Sequence, residues 1–418
     1  MTEKTILPNG VRIVSEDIPD VRSVAIGIWV GAGSRKDPTG KEGLAHFTEH
    51  MMFKGTDTRS AFDIASGIDA LGGVLNAHTA KEYTAYYVKV LDEHIDKAAD
   101  ILEDLFLNSK FPEEEIEKEK QVVLQEIRMS EDSPDEHISD LFARAFFRGS
   151  SLSSPILGTG DTLRSFTRQD ILDFISSTYT PGSIVVVGAG NIRHTKLVDM
   201  TAERFGSLKK EQLGESPLIE RLAGGGNLVV QKDLEQVHLT IGTKGPSMKD
   251  DQRWAYIVLN TIFGGGMSSM LFQEARERLG LVYSIYSYIY SYNDCGAMAV
   301  YAATTPEQLE STLNVVGEQI QRLKKGEFGG MTLDDIKAQI KGHLLLSRES
   351  TESRMASIGK NELYYGRDVP VDEMLEKINM VSADDLVRLA QEIFARGKMT
   401  FVALGKVMDK KEYLSSIL

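Results

Sequence analysis

Residues 166–192 read FTRQDILDFISSTYTPGSIVVVGAGNI, and residues 381–407 read VSADDLVRLAQEIFARGKMTFVALGKV. The two stretches align without a gap. Asp170 meets Asp385, Ile171 meets Leu386, Tyr179 meets Phe394, Gly182 meets Gly397 and Gly190 meets Gly405. Each opens on a hydroxyl residue, Thr167 or Ser382, whose oxygen can accept a free N–H of a first helical turn. An amphipathic run follows, then a Gly turn, then an apolar strand. A unit that recurs in this way marks an internal duplication.

The starts of the two copies also agree. Val24 to Ile28 is matched by Val237 to Ile241, and Leu71-Gly-Gly-Val74 by Leu279-Gly-Leu-Val282. The 418 residues allow two or three domains, and the repeat narrows this to two. The expected halves are residues 1–213 and 227–418, joined by a linker at 214–226 that holds Gly214, Pro217 and Gly224-Gly-Gly226. Short alternating strands mixed with helices predict an α+β fold. Each half should be a mostly antiparallel mixed sheet with helices packed on one face.

Hydrophobic residues at 42% and charged residues at 26% describe an ordinary soluble globular chain, which excludes disorder and fibres. Cys295 is the only cysteine, so a disulfide framework is excluded and thiolate is removed as a metal ligand. A net charge of -14 argues against nucleic-acid binding. It is compatible with basic peptide substrates, although keeping the protein soluble is the plainer reason for it. The N-terminus has no signal-peptide core, and no apolar run reaches the length of a membrane span. A cytoplasmic protein is the expectation.

Residues 46–50 are His-Phe-Thr-Glu-His. In a helix, His46 and His50 stand one turn apart on one face, with Glu49 beside them. Two imidazoles with a carboxylate near the metal, but not on it, are what a Zn²⁺ hydrolase needs. Leu44, Ala45, Phe47, Met51, Met52 and Phe53 make this helix apolar nearly all round, so it should be buried. Buried His and Glu need partners, and a metal would satisfy them.

A catalytic zinc site takes three protein ligands and keeps one position open. Residues 112–129 read PEEEIEKEKQVVLQEIRM, a helix with Ile116, Val123 and Ile127 as its buried stripe. Glu119 and Glu126 lie at the edge of that stripe, two turns apart. Helical geometry alone does not say which of them would meet the metal.

The combination of GLAHFTEHMMFKGT (43–56) with EKEKQVVLQEI (117–127) resembles the pitrilysin family of inverted-motif zinc peptidases, in its two-domain, processing-peptidase-like branch. The resemblance covers essentially the whole chain. It implies that His46, His50 and Glu126 hold zinc, that Glu119 supports them from behind, and that Glu49 is the general base. It further implies that Asn76 and Ala77 sit on an edge strand that takes up extended peptide. The next residue, His78, is a neighbour of that site that strand alternation points outward, and it is not read as a ligand. Arg276 and Tyr283 resemble a pair that the family places at its active site to steady substrate carbonyls or the oxyanion. The helix near Leu259 to Phe263, where the second half should repeat the motif, has no ligands. The family encloses peptides or unfolded segments in a closed chamber between two bowls. One two-domain chain supplies one bowl, so a homodimer is implied, with Arg276 and Tyr283 able to act across it.

Two other readings compete with this one. Ile184 to Gly190 has the form of a partial dinucleotide-binding glycine motif, but Arg193 stands where the third Gly belongs. A non-catalytic partner or scaffold subunit of the same family is the second. Such subunits lose ligands, whereas His46, Glu49, His50 and Glu126 are all present.

Overall fold

The computed structural model describes residues 2–209, 225–395, 397–407 and 413. Most of the expected linker therefore lies outside the described residues. In chain order the strands are β1 (Thr2–Ile6), β2 (Arg12–Asp17), β3 (Ser23–Val30), β4 (Val74–Thr79), β5 (Thr84–Leu91), β6 (Ile184–Gly190), β7 (Gly226–Gln231), β8 (Val237–Lys244), β9 (Val282–Ser291), β10 (Gly296–Thr304) and β11 (Thr400–Gly405). The helices are α1 (Leu44–Met52), α2 (Ala61–Asp69), α3 (Ile95–Asn108), α4 (Glu113–Asp132), α5 (Pro134–Phe146), α6 (Gly160–Arg164), α7 (Arg168–Thr178), α8 (His194–Phe205), α9 (Arg253–Gly264), α10 (Leu309–Lys324), α11 (Leu333–Ser347), α12 (Thr351–Tyr365), α13 (Val371–Met380) and α14 (Ala383–Ile393).

The chain forms two compact units. The first is Met1–Met129, Ser154–Pro217 and Leu346–Val369; the second is Ser130–Ser153, Leu218–Leu345 and Pro370–Leu418. Each contains one sheet, in the order β1-β2-β6-β3-β5-β4 and β7-β11-β8-β10-β9 respectively. From β2 and β7 onward the orders correspond strand for strand. In each sheet one pair is parallel, β2 with β6 and β7 with β11, and the other pairs are antiparallel.

The repeated stretches become α7 with β6 and α14 with β11. Both helices carry the full reciprocal cap. Thr167 Oγ1 accepts the Asp170 N–H while Asp170 accepts the Thr167 N–H, and Ser382 and Asp385 do the same. Both strands are internal and wholly buried, which explains their continuous apolar run. Gly190 adopts φ +122°, and a Cβ there would meet the backbone of Ser23 and Val24. A close approach between strands thus accounts for this glycine of the apparent nucleotide motif.

In the first unit, the main core joins one face of the sheet to α1, α3, α7 and α8, through residues such as Ile26, Phe47, Leu102, Phe174 and Leu197. The opposite face, with Trp29, Val185 and Val187, packs against Met355 and Ile358 of α12. That helix comes from the C-terminal half of the sequence. In exchange, α5 from the N-terminal half sits in the second unit, where Phe142 and Phe146 pack with Ala299, Val402 and Leu404. The second unit's other core gathers α9, α10 and α14 on the other face of its sheet.

Ion pairs fix α12 to the first sheet. Arg354 is paired with Glu16 and, at 3.3 Å, with Asp368, and the fully buried Glu362 takes Lys4 at 2.7 Å and Arg12 at 3.4 Å. Among the described residues no helix is long and apolar enough to cross a membrane.

Candidate metal centre

Helix α1 begins at Gly43, which adopts φ +96° and packs so closely on Leu157 and Gly158 that a Cβ would overlap their backbone. Asp37 replaces the missing side-chain cap. Its carboxylate accepts the Gly43 N–H at 2.7 Å and the Ala45 N–H at 2.8 Å. Burial pushes Asp37 up to about 7, against the downward pull of those two donors. The apolar residues of α1 are buried, as is Glu49 at 8% exposure.

His46 and His50 lie side by side, with ring centroids 4.5 Å apart. Helix α4 brings Glu126 to them. Its Oε2 lies 3.5 Å from His50 Nε2 and 3.9 Å from His46 Nε2. Each of the three residues offers a ligand atom, all within 4.8 Å of one another, and among the described residues they form the one group of this kind. Zn–N and Zn–O bonds near 2.05 Å in a tetrahedron set ligand atoms about 3.3 Å apart, so the three donors fit such an ion. Of the two glutamates that spacing left open, Glu126 is therefore the one at the paired imidazoles.

Glu119 does something different. Its Oε1 meets His50 Nδ1 at 2.8 Å, and its other oxygen takes the Lys54 ammonium. With Nδ1 donating, Nε2 keeps its lone pair for a metal.

The electrostatics separate the two imidazoles. Burial, helped by the His50 charge, holds His46 down at about 3, so it is neutral and able to ligate. Burial also opposes charge on His50. The Glu119 hydrogen bond and the charges of Glu126, Glu119 and Glu49 outweigh it, and the net direction is upward. Burial raises Glu49, with the Thr79 hydroxyl and His50 pulling the other way. Burial disfavours the Glu119 anion, but its bonds to His50 and Lys54 prevail and lower it.

Asn76 and Ala77 are on β4, the terminal strand of the first sheet. Leu75 and Ala77 face the main core. His78 does not simply alternate outward. Its ring meets Trp29 at 5.7 Å, Tyr83 at 5.6 Å and Tyr87 at 6.2 Å, because α12 covers that face of the sheet. Thr79 hydrogen-bonds Glu49, a contact that sequence spacing could not reveal. In the second unit, Arg276 lies on a π-helical segment, Phe272–Arg278. Its guanidinium sits 4.8 Å from the Phe272 ring and 5.7 Å from that of Tyr283, which is 75% exposed. Helix α9 carries no His, Asp or Glu.

A duplicated mixed-sheet fold with this donor set has the form of a metallopeptidase of the inverted His-x-x-Glu-His type. The Insulinase (Peptidase family M16) profile matches residues 12–160, and the Peptidase M16 inactive domain profile matches residues 165–341. The chain belongs to peptidase family M16.

It is 43% identical over 395 residues to the uncharacterized zinc protease YmxG of Bacillus subtilis, spanning 94% of this chain and 96% of that one. An uncharacterized zinc protease of Rickettsia felis is 40% identical over 390 residues, spanning 93% and 94%. Among solved structures, a protease from Helicobacter pylori matches with TM-score 0.89 and 26% identity, over 97% of this chain and 99% of that one. A Pseudomonas fluorescens protein described as a peptidase M16 inactive domain shares the fold at TM-score 0.89 and 19% identity, over 98% and 99%. The names of the first two relatives agree with Zn²⁺ as the cofactor.

Proposed function

We propose that this chain is a zinc endopeptidase of family M16 that hydrolyses peptides or unfolded segments. The convergence of His46, His50 and Glu126, with Glu49 beside them, carries this reading. These three residues would hold Zn²⁺, which when bound polarises the scissile carbonyl and lowers the pKa of a water.

Glu49 takes a proton from that water and later delivers it to the leaving amine. Its burial favours the uptake, because a carboxylate with a raised pKa is a better base near neutrality. Glu119 keeps His50 in the ligating tautomer. Asn76 and Ala77 lie on a sheet edge with no partner among the described residues, so an extended peptide can add there as a further strand. Arg276 and Tyr283 donate hydrogen bonds to substrate carbonyls and the developing oxyanion.

Residues 1–213 form the catalytic half of the duplication and 227–418 the ligand-free half. The working form is a cytoplasmic homodimer enclosing a chamber, and its acidic charge favours basic peptides. A fully active monomer in light scattering would overturn the chamber. Metal analysis should find about one zinc per chain. Glu49→Gln should retain that zinc and lose peptide cleavage. Cleavage at the wild-type rate would remove Glu49 from the mechanism. The four motif residues stand against the scaffold reading.

A further inference from the structure

Thr79 closes β4, the strand proposed to pair with peptide, and its hydroxyl points at Glu49. Alternation places it two residues beyond Ala77 and on the same side of the sheet. Thr79 Oγ1 donates to Glu49 Oε2. The direction of that bond is fixed. A carboxylate only accepts, and the other hydroxyl in reach, Thr84 Oγ1 at 3.4 Å, donates its own proton to the Ala32 carbonyl at 2.9 Å. Thr84 is wholly buried, paired with Thr79 across the strands and hydrogen-bonded to Ala32, which anchors this end of the hairpin to the sheet.

The terminal torsion of a Glu side chain is soft and roughly two-fold. Nothing in α1 itself sets it, because the helix fixes Cα and Cβ but not the plane of the carboxylate. We propose that Thr79 is a positioning residue for the general base: it holds Oε2 of Glu49, turns Oε1 toward the metal centre, and ties the orientation of the base to the strand that aligns the peptide. Thr79 keeps its proton throughout. The transferred proton is carried by the other oxygen of Glu49. This inference rests on the zinc-peptidase reading above.

Thr79→Val preserves the branched shape and removes the donor; Thr79→Ser keeps the donor and removes a methyl. With a peptide that the wild type cleaves and Glu49→Gln does not, Thr79→Val should lower kcat about 10- to 100-fold, the range of a misaligned general base. KM should change less than about two-fold, and zinc stoichiometry should stay at the wild-type value. Thr79→Ser should remain within a few-fold of the wild type.

Peptide binding is then measured by fluorescence polarisation in Glu49→Gln and in the double variant Glu49→Gln/Thr79→Val. Equal affinity is expected. The proposal is overturned if Thr79→Val keeps its kcat, if Thr79→Ser is as impaired as Thr79→Val, if the double variant binds peptide more weakly in proportion to the lost turnover, or if Thr79→Val loses zinc or folded structure. A wild type with no peptidase activity would instead overturn the functional reading. That outcome is distinct, because it appears before any Thr79 variant is made.

Discussion

His50 Nδ1 lies 2.8 Å from Oε1 of Glu119, while His50 Nε2 faces Glu126 at 3.5 Å. One imidazole thus joins two carboxylates that stand two turns apart on α4, and the two contacts have different consequences. Glu126 offers an oxygen to a metal, whereas Glu119 sets which nitrogen of His50 is free. Glu126→Gln should therefore lower zinc content sharply. Glu119→Gln should weaken affinity about 10- to 100-fold yet still load at high zinc, as expected for a residue behind a ligand. Zinc titration with a competing chelator measures both, and the reverse order would exchange the two roles.

Protons compete with zinc for imidazole nitrogen, and the two histidines should compete unequally. In the metal-free protein His46 is held at about 3 and stays neutral over the accessible range. His50 is raised above 6.5 by Glu119 and its acidic neighbours, so it carries the competing proton. Zinc affinity should rise with pH by about one logarithmic unit per pH unit below 6.5 and flatten above the raised value. A slope near two would mean that both histidines titrate and that His46 is not kept neutral by burial.

Much of this was legible because the motif is local. His46 and His50 are four residues apart, and helical geometry alone puts them on one face. The caps at Thr167 and Ser382 are local too, and both form as their spacing implies. The choice between Glu119 and Glu126 was not legible from periodicity, since both flank one apolar stripe. It depends on how α4 lies against α1. Thr79 was hidden for the same reason, because only the packing of α1 against β4 brings it to Glu49. The exchange of α5 and α12 left no trace either. An amphipathic pattern declares a buried face but not which sheet will bury it.

The exchanged helix α12 supplies a test of its own anchoring. Arg354 is 2% exposed and joins Glu16 of β2 to Asp368. Both carboxylates are largely buried; without the guanidinium, Glu16 keeps the more distant Arg348 at 3.7 Å and Asp368 keeps the Asn361 amide at 3.0 Å, so each loses part of its compensation. Arg354→Met keeps most of the volume and should destabilise the first unit by about 3 kcal/mol, the lower end of the range for a broken buried pair. Urea unfolding followed by far-UV circular dichroism measures this. A loss below about 1 kcal/mol, the size expected of an exposed pair, would mean that the packing of Met355 and Ile358 and the Glu362 pairs hold the helix without this guanidinium.

Glu103 provides a prediction with the opposite sign. It lies on α3 at 7% exposure, and burial pushes its carboxyl up to about 8, although Arg204 on α8, 4.0 Å away, pulls it down and Asp100 and Glu203 push it further up. The unfolded chain titrates this group near 4.5. Between those two values the folded protein holds a proton that the unfolded protein has released. Stability therefore falls as pH rises through this window, and the contribution of Glu103 is most favourable below it. Glu103→Gln removes the titration while keeping the shape and a hydrogen-bonding head. The variant should melt a few degrees above the wild type near pH 8, and the gain should shrink steadily toward pH 4.5. Thermal scans across that range at constant ionic strength measure it. If the variant instead melts lower at the alkaline end, the Arg204 pair outweighs burial and Glu103 is charged in the folded protein.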